Sequence, residues 1–126
     1  MSVASTRDLG VRFVETVSRR DADSLRALLA DDIDFRGLTP SRSWEAGDSA
    51  EVVDIVLTHW FEPGDEFDEP PLVDSDAFAD CHRVGYRFRG HNAEGPFVVE
   101  QQAYLREEDG RIAWMRVVCS GFRDPS

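Results

Sequence analysis

The stretch VVEQQAY, Val98 to Tyr104, sets a carboxylate and two amides, Glu100, Gln101 and Gln102, inside an otherwise strand-like run. A strand that only closes a core has no use for such groups. If they face a pocket, Glu100 is the one residue of the run suited to act as a general base, and Gln102 and Tyr104 can orient a carbonyl or hydroxyl. Side chains alternate along a strand, so Val98, Glu100, Gln102 and Tyr104 share one face unless a bulge shifts the register. Phe97, Val99, Gln101, Ala103 and Leu105 take the other. Other reactive types give weaker signals. Cys81 and Cys119 form no CxxC pair, and His59, His82 and His91 belong to no HExxH or comparable ligand set. No metal and no cofactor is expected.

The chain has 126 residues, the size of one domain, and 25 acidic against 14 basic residues give a net charge of −11. That charge repels phosphate backbones and anionic membranes, so neither nucleic acid nor membrane is an expected partner. Much of the acid lies in EPGDEFDEPPLVDSDAFAD (62–80). Nothing there has the spacing of a calcium loop, and a solvated loop or edge strand accounts for it. MSVASTRDLG has no apolar signal-peptide core, which points to the cytoplasm and to free thiols.

The elements that must hold these residues follow from periodicity. Leu9, Phe13, Val14 and Val17 make one helical stripe from about Thr6 to Arg19. Asp21 suits the N-cap of a second, short helix with Leu25, Leu28 and Leu29 on one face. Ile33 to Arg36 reads as a brief strand, and Thr39-Pro40-Ser41 as a turn. Asp48 with Glu51 three residues on is a capping-box signal, and Val52, Val53, Val56, Leu57 and Trp60 continue an amphipathic helix that Pro63-Gly64 stops. Val84, Tyr86 and Phe88 then alternate with Arg83, Arg87 and Arg89. A long strand from Phe97 to Arg106, a hairpin at Glu107 to Gly110 and a last strand from Ile112 to Phe122 complete an antiparallel meander. The order predicts an α+β domain spanning 1–126, its helices packed on one sheet face.

RFVETVSRRDADSLRALLADDIDF and REEDGRIAWMRV resemble the NTF2-like superfamily, which includes ketosteroid isomerase, limonene epoxide hydrolase and the SnoaL-type polyketide cyclases. The resemblance implies a cone-shaped α+β barrel, in which three N-terminal helices pack on a strongly bent antiparallel sheet enclosing a pocket. Counted back from Gly110, Gln102 matches the position of the isomerase's oxyanion-hole acid, which puts Glu100, Gln102 and Tyr104 inside, with Tyr86 opposite. On the last strand Met115, Val117 and Cys119 then face in, and Trp114, Arg116 and Val118 face out. The isomerase tyrosine matches Phe13 and its base matches Gly37, so that proton shuttle is missing. The epoxide hydrolase's Asp-Arg-Asp set has no counterpart.

Three roles stay open for Glu100: a member of a satisfied core network, a ligand contact, or the base of an isomerase, cyclase or epoxide-hydrolase-like enzyme. Gln102, Tyr104, Tyr86, Trp44, Trp60 and Cys119 are the candidate ligand-binding residues. For Trp44, Trp60 and Cys119 the plainer role is core or wall, Cys119 as an inert thiol. The expected ligand is a small hydrophobic molecule. Phe97, Val99, Leu105, Trp114 and Val118 would together make an apolar exterior, which with the resemblance implies a homodimer through the convex sheet face.

Overall fold

The computed structural model describes residues 3–125, with side chains from Leu9 onward except that of Phe78. Helix α1 (Val3–Ser18) buries Leu9, Phe13, Val14 and Val17, the stripe its spacing predicts. Helix α2 (Ala22–Ala27) is capped by Asp21, whose carboxylate accepts from the Ser24 N–H. It is shorter than its leucines suggest, because Leu29 already begins β1 (Leu29–Thr39). The Thr39-Pro40-Ser41 turn returns the chain as β2 (Arg42–Ala46), a strand without a clear alternation in the sequence.

Asp48 caps α3 (Ser49–Asp54) by accepting the Glu51 N–H at 2.8 Å, and Glu51 in turn accepts the Gly47 N–H. The helix then widens into a π-helical turn (Ile55–Trp60), closed by the Phe61 N–H on the Val56 carbonyl. Short β3 (Glu66–Phe67) and β4 (Leu72–Phe78) flank Pro70-Pro71 at a sheet edge, as the prolines require. β5 (Cys81–Asn92), β6 (Gly95–Glu108) and β7 (Arg111–Cys119) form the meander.

The domain is α+β with a seven-stranded sheet in the order β2-β1-β7-β6-β5-β3, and β4 also pairs with β5. Three expectations need correction. The sheet is mixed, because β1 runs parallel to β7. It is also open, and the third helix follows the β1–β2 hairpin instead of completing an N-terminal group. Among the described residues no helix is long and apolar enough to cross a membrane.

The largest correction concerns β6. Phe97, Val99, Gln101, Ala103 and Leu105 are buried under the helices, while Glu100 and Gln102 are exposed on the other face. The cause is a bulge. Arg106 pairs with Trp114 but Glu107 with Ile112, leaving Ala113 as an extra residue in β7. A regular hairpin beyond Asp109-Gly110 would set Met115, Val117 and Cys119 opposite Tyr104, Gln102 and Glu100. The bulge moves their partners to Leu105, Ala103 and Gln101. Met115, Val117 and Cys119 do face inward, and Trp114, Arg116 and Val118 outward.

Glu100 meets two arginines outside, Arg123 at 3.8 Å and Arg87 at 4.0 Å, with its side chain 53% exposed. Solvent screens such pairs, so replacement of Glu100 by Gln should change stability by no more than about 1 kcal/mol. Leu105→Ala should cost about 2–5 kcal/mol through loss of packing in the core. Urea unfolding of the two variants checks the register, since the opposite register reverses the two magnitudes.

Candidate functional site

One buried row of the sheet's inner face carries polar side chains beside the candidate site. Val73, Tyr86, Gln101 and Cys119 are successive cross-strand partners on β4, β5, β6 and β7. Tyr86 and Gln101 are 4% and 3% exposed, and Cys119 is half-buried. Gln101 is the only polar member of the buried phase of β6, set among Phe97, Val99, Ala103 and Leu105.

This row ends beneath a cavity of about 550 Å³ at the open end of the sheet. Gln101, Cys119, Val99 and Phe97 form its sheet wall, the π-helical turn contributes His59 and Trp60, and β2 contributes Trp44. The lining is strongly aromatic. Trp44 stands edge-on to Trp60 at 6.4 Å, Phe35 lies 5.8 Å from Trp60, and Phe122 packs on Phe97 at 4.5 Å.

Local features hold each wall. The Trp60 indole rests on Gly37, where a Cβ would lie 2.6 Å from the ring, so only glycine permits this seat. Trp44 donates its indole N–H to the Thr39 hydroxyl at 3.0 Å, and the Arg42 guanidinium covers its ring at 3.7 Å. Arg20, with a left-handed φ of 56°, donates to the carbonyls of Phe61, Glu62 and Asp65 and so ties the end of α1 to the segment after the π-helical turn. Buried Asp65 accepts from the Glu62 N–H and the Asn92 amide, each at 2.9 Å. After β7, Gly121 (φ 76°) turns the chain against Pro40, and Arg123 bridges to Val98, which brings Phe122 over the mouth.

Several polar atoms in this region have no hydrogen-bond partner among the described residues: Trp60 Nε1, Gln101 Nε2 and the Tyr86 hydroxyl. Burial pushes the Tyr86 phenol well above the usual tyrosine range, and the neighbouring Cys119 thiol adds to the shift. The Cys119 sulfur accepts the Gly121 N–H at 3.3 Å. Four carboxylates, Glu62, Asp65, Glu94 and Asp124, and the His59 imidazole line the same cavity. Asp65 already holds two donors.

Of the residues named from sequence, the structure gathers Trp44, Trp60 and Cys119 at this cavity and buries Tyr86 in the row beside Gln101. It does not bring Glu100, Gln102 or Tyr104 there. Glu100 and Gln102 instead line a depression of about 530 Å³ on the outer face, above Gly85 and beside Arg83. Arg83 is engaged there by Asp74 at 2.7 Å and Asp76 at 2.9 Å. His59, which belongs to no ligand set in the sequence, lies at the cavity wall 5.6 Å from the Trp44 ring. Gln101, Asp65, Asn92 and Phe122 were missed. For Gln101 the signal was present, a polar residue in the apolar phase of its strand.

No family model matches this sequence, and no curated protein matches it. Solved structures do. A proposed isomerase of Bacillus subtilis is 16% identical with a TM-score of 0.75, covering 95% of this chain and 90% of its own. An LEH-like epoxide hydrolase of M. tuberculosis is 12% identical with a TM-score of 0.69, over 93% and 84%. A hypothetical protein of Catenulispora acidiphila with a ketosteroid isomerase-like fold, solved with trimethylamine, is 14% identical with a TM-score of 0.68, over 91% and 87%.

The sign of the Tyr86 shift gives a test. A raised native pKa keeps the phenol protonated in the folded state while the unfolded chain ionises above about pH 10. Its contribution to stability is therefore intact below that pH and falls by about 1.4 kcal/mol per unit above it. Tyr86→Phe should remove this part of the pH dependence, measured by urea unfolding between about pH 9 and 11.

At these identities the agreement is one of architecture, and on it the chain has the NTF2-like, ketosteroid isomerase-like fold.

Proposed function

We propose that this protein binds a small hydrophobic molecule in the cavity between β2, the π-helical turn and the β6–β7 wall, using the bent sheet as one side of a cone. The observation that carries this reading is the aromatic lining, Trp44, Trp60, Phe97 and Phe122, around about 550 Å³ of space. Space of that size suits a ring-sized ligand, and Thr39, Asn92, Gln101 and the acidic rim would set its orientation. Isomerase, cyclase or epoxide-hydrolase chemistry with Glu100 as base draws no support from the geometry, because Glu100 lies across the sheet in contact with Arg87 and Arg123. Binding is the reading that the cavity and its aromatic walls support. A cytoplasmic location remains part of the proposal and rests on the sequence.

A homodimer is also proposed, on altered grounds. Phe97, Val99 and Leu105 belong to the core and cannot form the interface expected of them. Trp114 is covered by the guanidinium groups of Arg106 and Arg116, each 4.5 Å from its ring. What the outer face still offers is Leu38 beside Val118, 54% and 52% exposed on paired strands. If a second copy covers them, Val118→Glu should give a monomer by light scattering, and an unaltered dimer would remove this interface.

N-phenyl-1-naphthylamine tests the pocket. Its fluorescence should rise and saturate at one probe per chain. Cys119→Trp should abolish the rise by filling the cavity, whereas Gln102→Trp, on the outer face, should leave it intact. With both variants folded by circular dichroism, equal binding by the two, or none by the parent protein, rejects the site.

A further inference from the structure

We infer that the ligand of this pocket is an organic cation, an apolar ring system carrying a protonated or quaternary nitrogen, which the acidic lining holds against the aromatic walls. The inference rests on the pocket reading above and adds the charge of the ligand.

The lining is unbalanced in charge. Glu62, Asp65, Glu94 and Asp124 all border the cavity, and Arg123 is the one arginine among its described lining residues. That guanidinium lies 3.8 Å from Glu100 on the outer face, so part of its charge is already met there. The His59 imidazole meets the Asp54 carboxylate at 3.2 Å. The field within the cavity therefore draws positive solutes inward and opposes a carboxylate or phosphate.

Asp65 carries the argument beyond a wet acidic rim. It is 7% exposed, and among the described residues no arginine or histidine forms an ion pair with its carboxylate. Its two hydrogen bonds come from neutral donors, the Glu62 N–H and the Asn92 amide. Arg20 donates to the Asp65 backbone carbonyl instead. A carboxylate has about four acceptor positions, so about two are left unused. Buried charges are as a rule paired, because desolvation costs more than neutral hydrogen bonds return. A cation in the adjoining space supplies the missing partner.

The walls decide between kinds of cation. Among the described residues no three His, Cys, Asp or Glu side chains are grouped to hold a metal ion. Trp60, Phe97 and Phe122 offer ring surface, which attracts a diffuse positive charge and packs against apolar groups. The Arg42 guanidinium on the Trp44 ring at 3.7 Å shows an aromatic group of this mouth in that role. An amine on an apolar ring meets both demands. A hydrocarbon leaves Asp65 without a counter-charge.

The test uses benzyltrimethylammonium and neopentylbenzene, which share one shape and differ in charge alone. Dissociation constants for each are measured by calorimetry at low salt. The parent protein should hold the cation about tenfold or more tightly than the neutral compound. That preference should fall several-fold in Glu94→Gln, an exposed position whose replacement spares the fold, and further in Asp65→Asn. Glu108→Gln removes the same charge at the far end of β6 and should leave the preference unchanged. If Asp65→Asn does not fold, the parent protein and Glu94→Gln decide the matter. A parent protein without the preference, or one whose preference survives Glu94→Gln or falls equally in Glu108→Gln, overturns the cation assignment and leaves the pocket standing. If neither compound binds while N-phenyl-1-naphthylamine does, the assignment falls alone. If none of the three binds, the pocket falls and the assignment with it.

Discussion

The pairing of β6 with β7 around Ala113 governs what each face of the sheet presents. One additional residue in β7 sets Met115, Val117 and Cys119 beside Leu105, Ala103 and Gln101. Every consequence of burial follows from that phase. Phe97, Val99, Ala103 and Leu105 join the stripe of α1 and the apolar face of α3 in one core. Each large side chain fully buried in this way contributes about 1.5–3 kcal/mol relative to exposure. The alternative phase would bury Glu100 and Gln102 and expose Phe97, Val99 and Leu105. No set of surface ion pairs offsets such an exchange. The arginines of β5 and the acids of β4 then have only the outer face to occupy, and Arg83 duly meets Asp74 and Asp76 there.

The same phase explains which parts of the molecule could be read from the chain. Helices announce themselves locally. Leu9, Phe13, Val14 and Val17 recur at helical spacing, and the side chains of Asp21 and Asp48 accept the backbone N–H groups that their positions predict. The Asp109-Gly110 turn is equally local, with φ of 54° and 81° as a tight hairpin requires. What failed was non-local. Parallel pairing of β1 with β7 joins residues about eighty positions apart, such as Phe35 and Met115, and nothing in either segment declares the other. Strand β2 is short and exposes most of its residues, so its pattern carries no alternation. The bulge was invisible because Ala113 differs little from a residue in a regular strand. Yet the binary pattern of β6 pointed the right way. A resemblance counted from Gly110 outweighed it, and the plain preference of apolar residues for the interior was the better guide.

The pocket depends on a second departure from regular geometry. A regular α-helix through Ile55–Trp60 would hand the chain on with a different rotation, whereas the π-helical turn carries Trp60 over β1. There the ring needs the missing side chain of Gly37. Wide turns of this kind interrupt helices at some energetic cost and occur often at functional sites. The tail after β7 completes the enclosure by laying Phe122 on Phe97 and against Phe61. Three separate chain segments thus spend backbone regularity on one aromatic mouth, which a core packed for stability alone would not need.

Polar atoms without partners divide into two kinds here. The Tyr86 hydroxyl sits deep, its ring packed against Phe13 and Phe88, and burial holds it neutral. It penalises ionisation and otherwise behaves as a large apolar side chain. Gln101 and Trp60 are buried to a similar degree and line the cavity, although Gln101 Nε2 and Trp60 Nε1 themselves are closed off from it. For them an unmade hydrogen bond costs about 1–3 kcal/mol for each group, set against the packing of Trp60 on Gly37 and Phe35. Glu100, the one carboxylate that the chain's pattern offered as a base, is instead spent on the surface between Arg87 and Arg123. The acidic lining of the cavity comes instead from Glu62, Asp65, Glu94 and Asp124, on segments whose pattern gave no such signal.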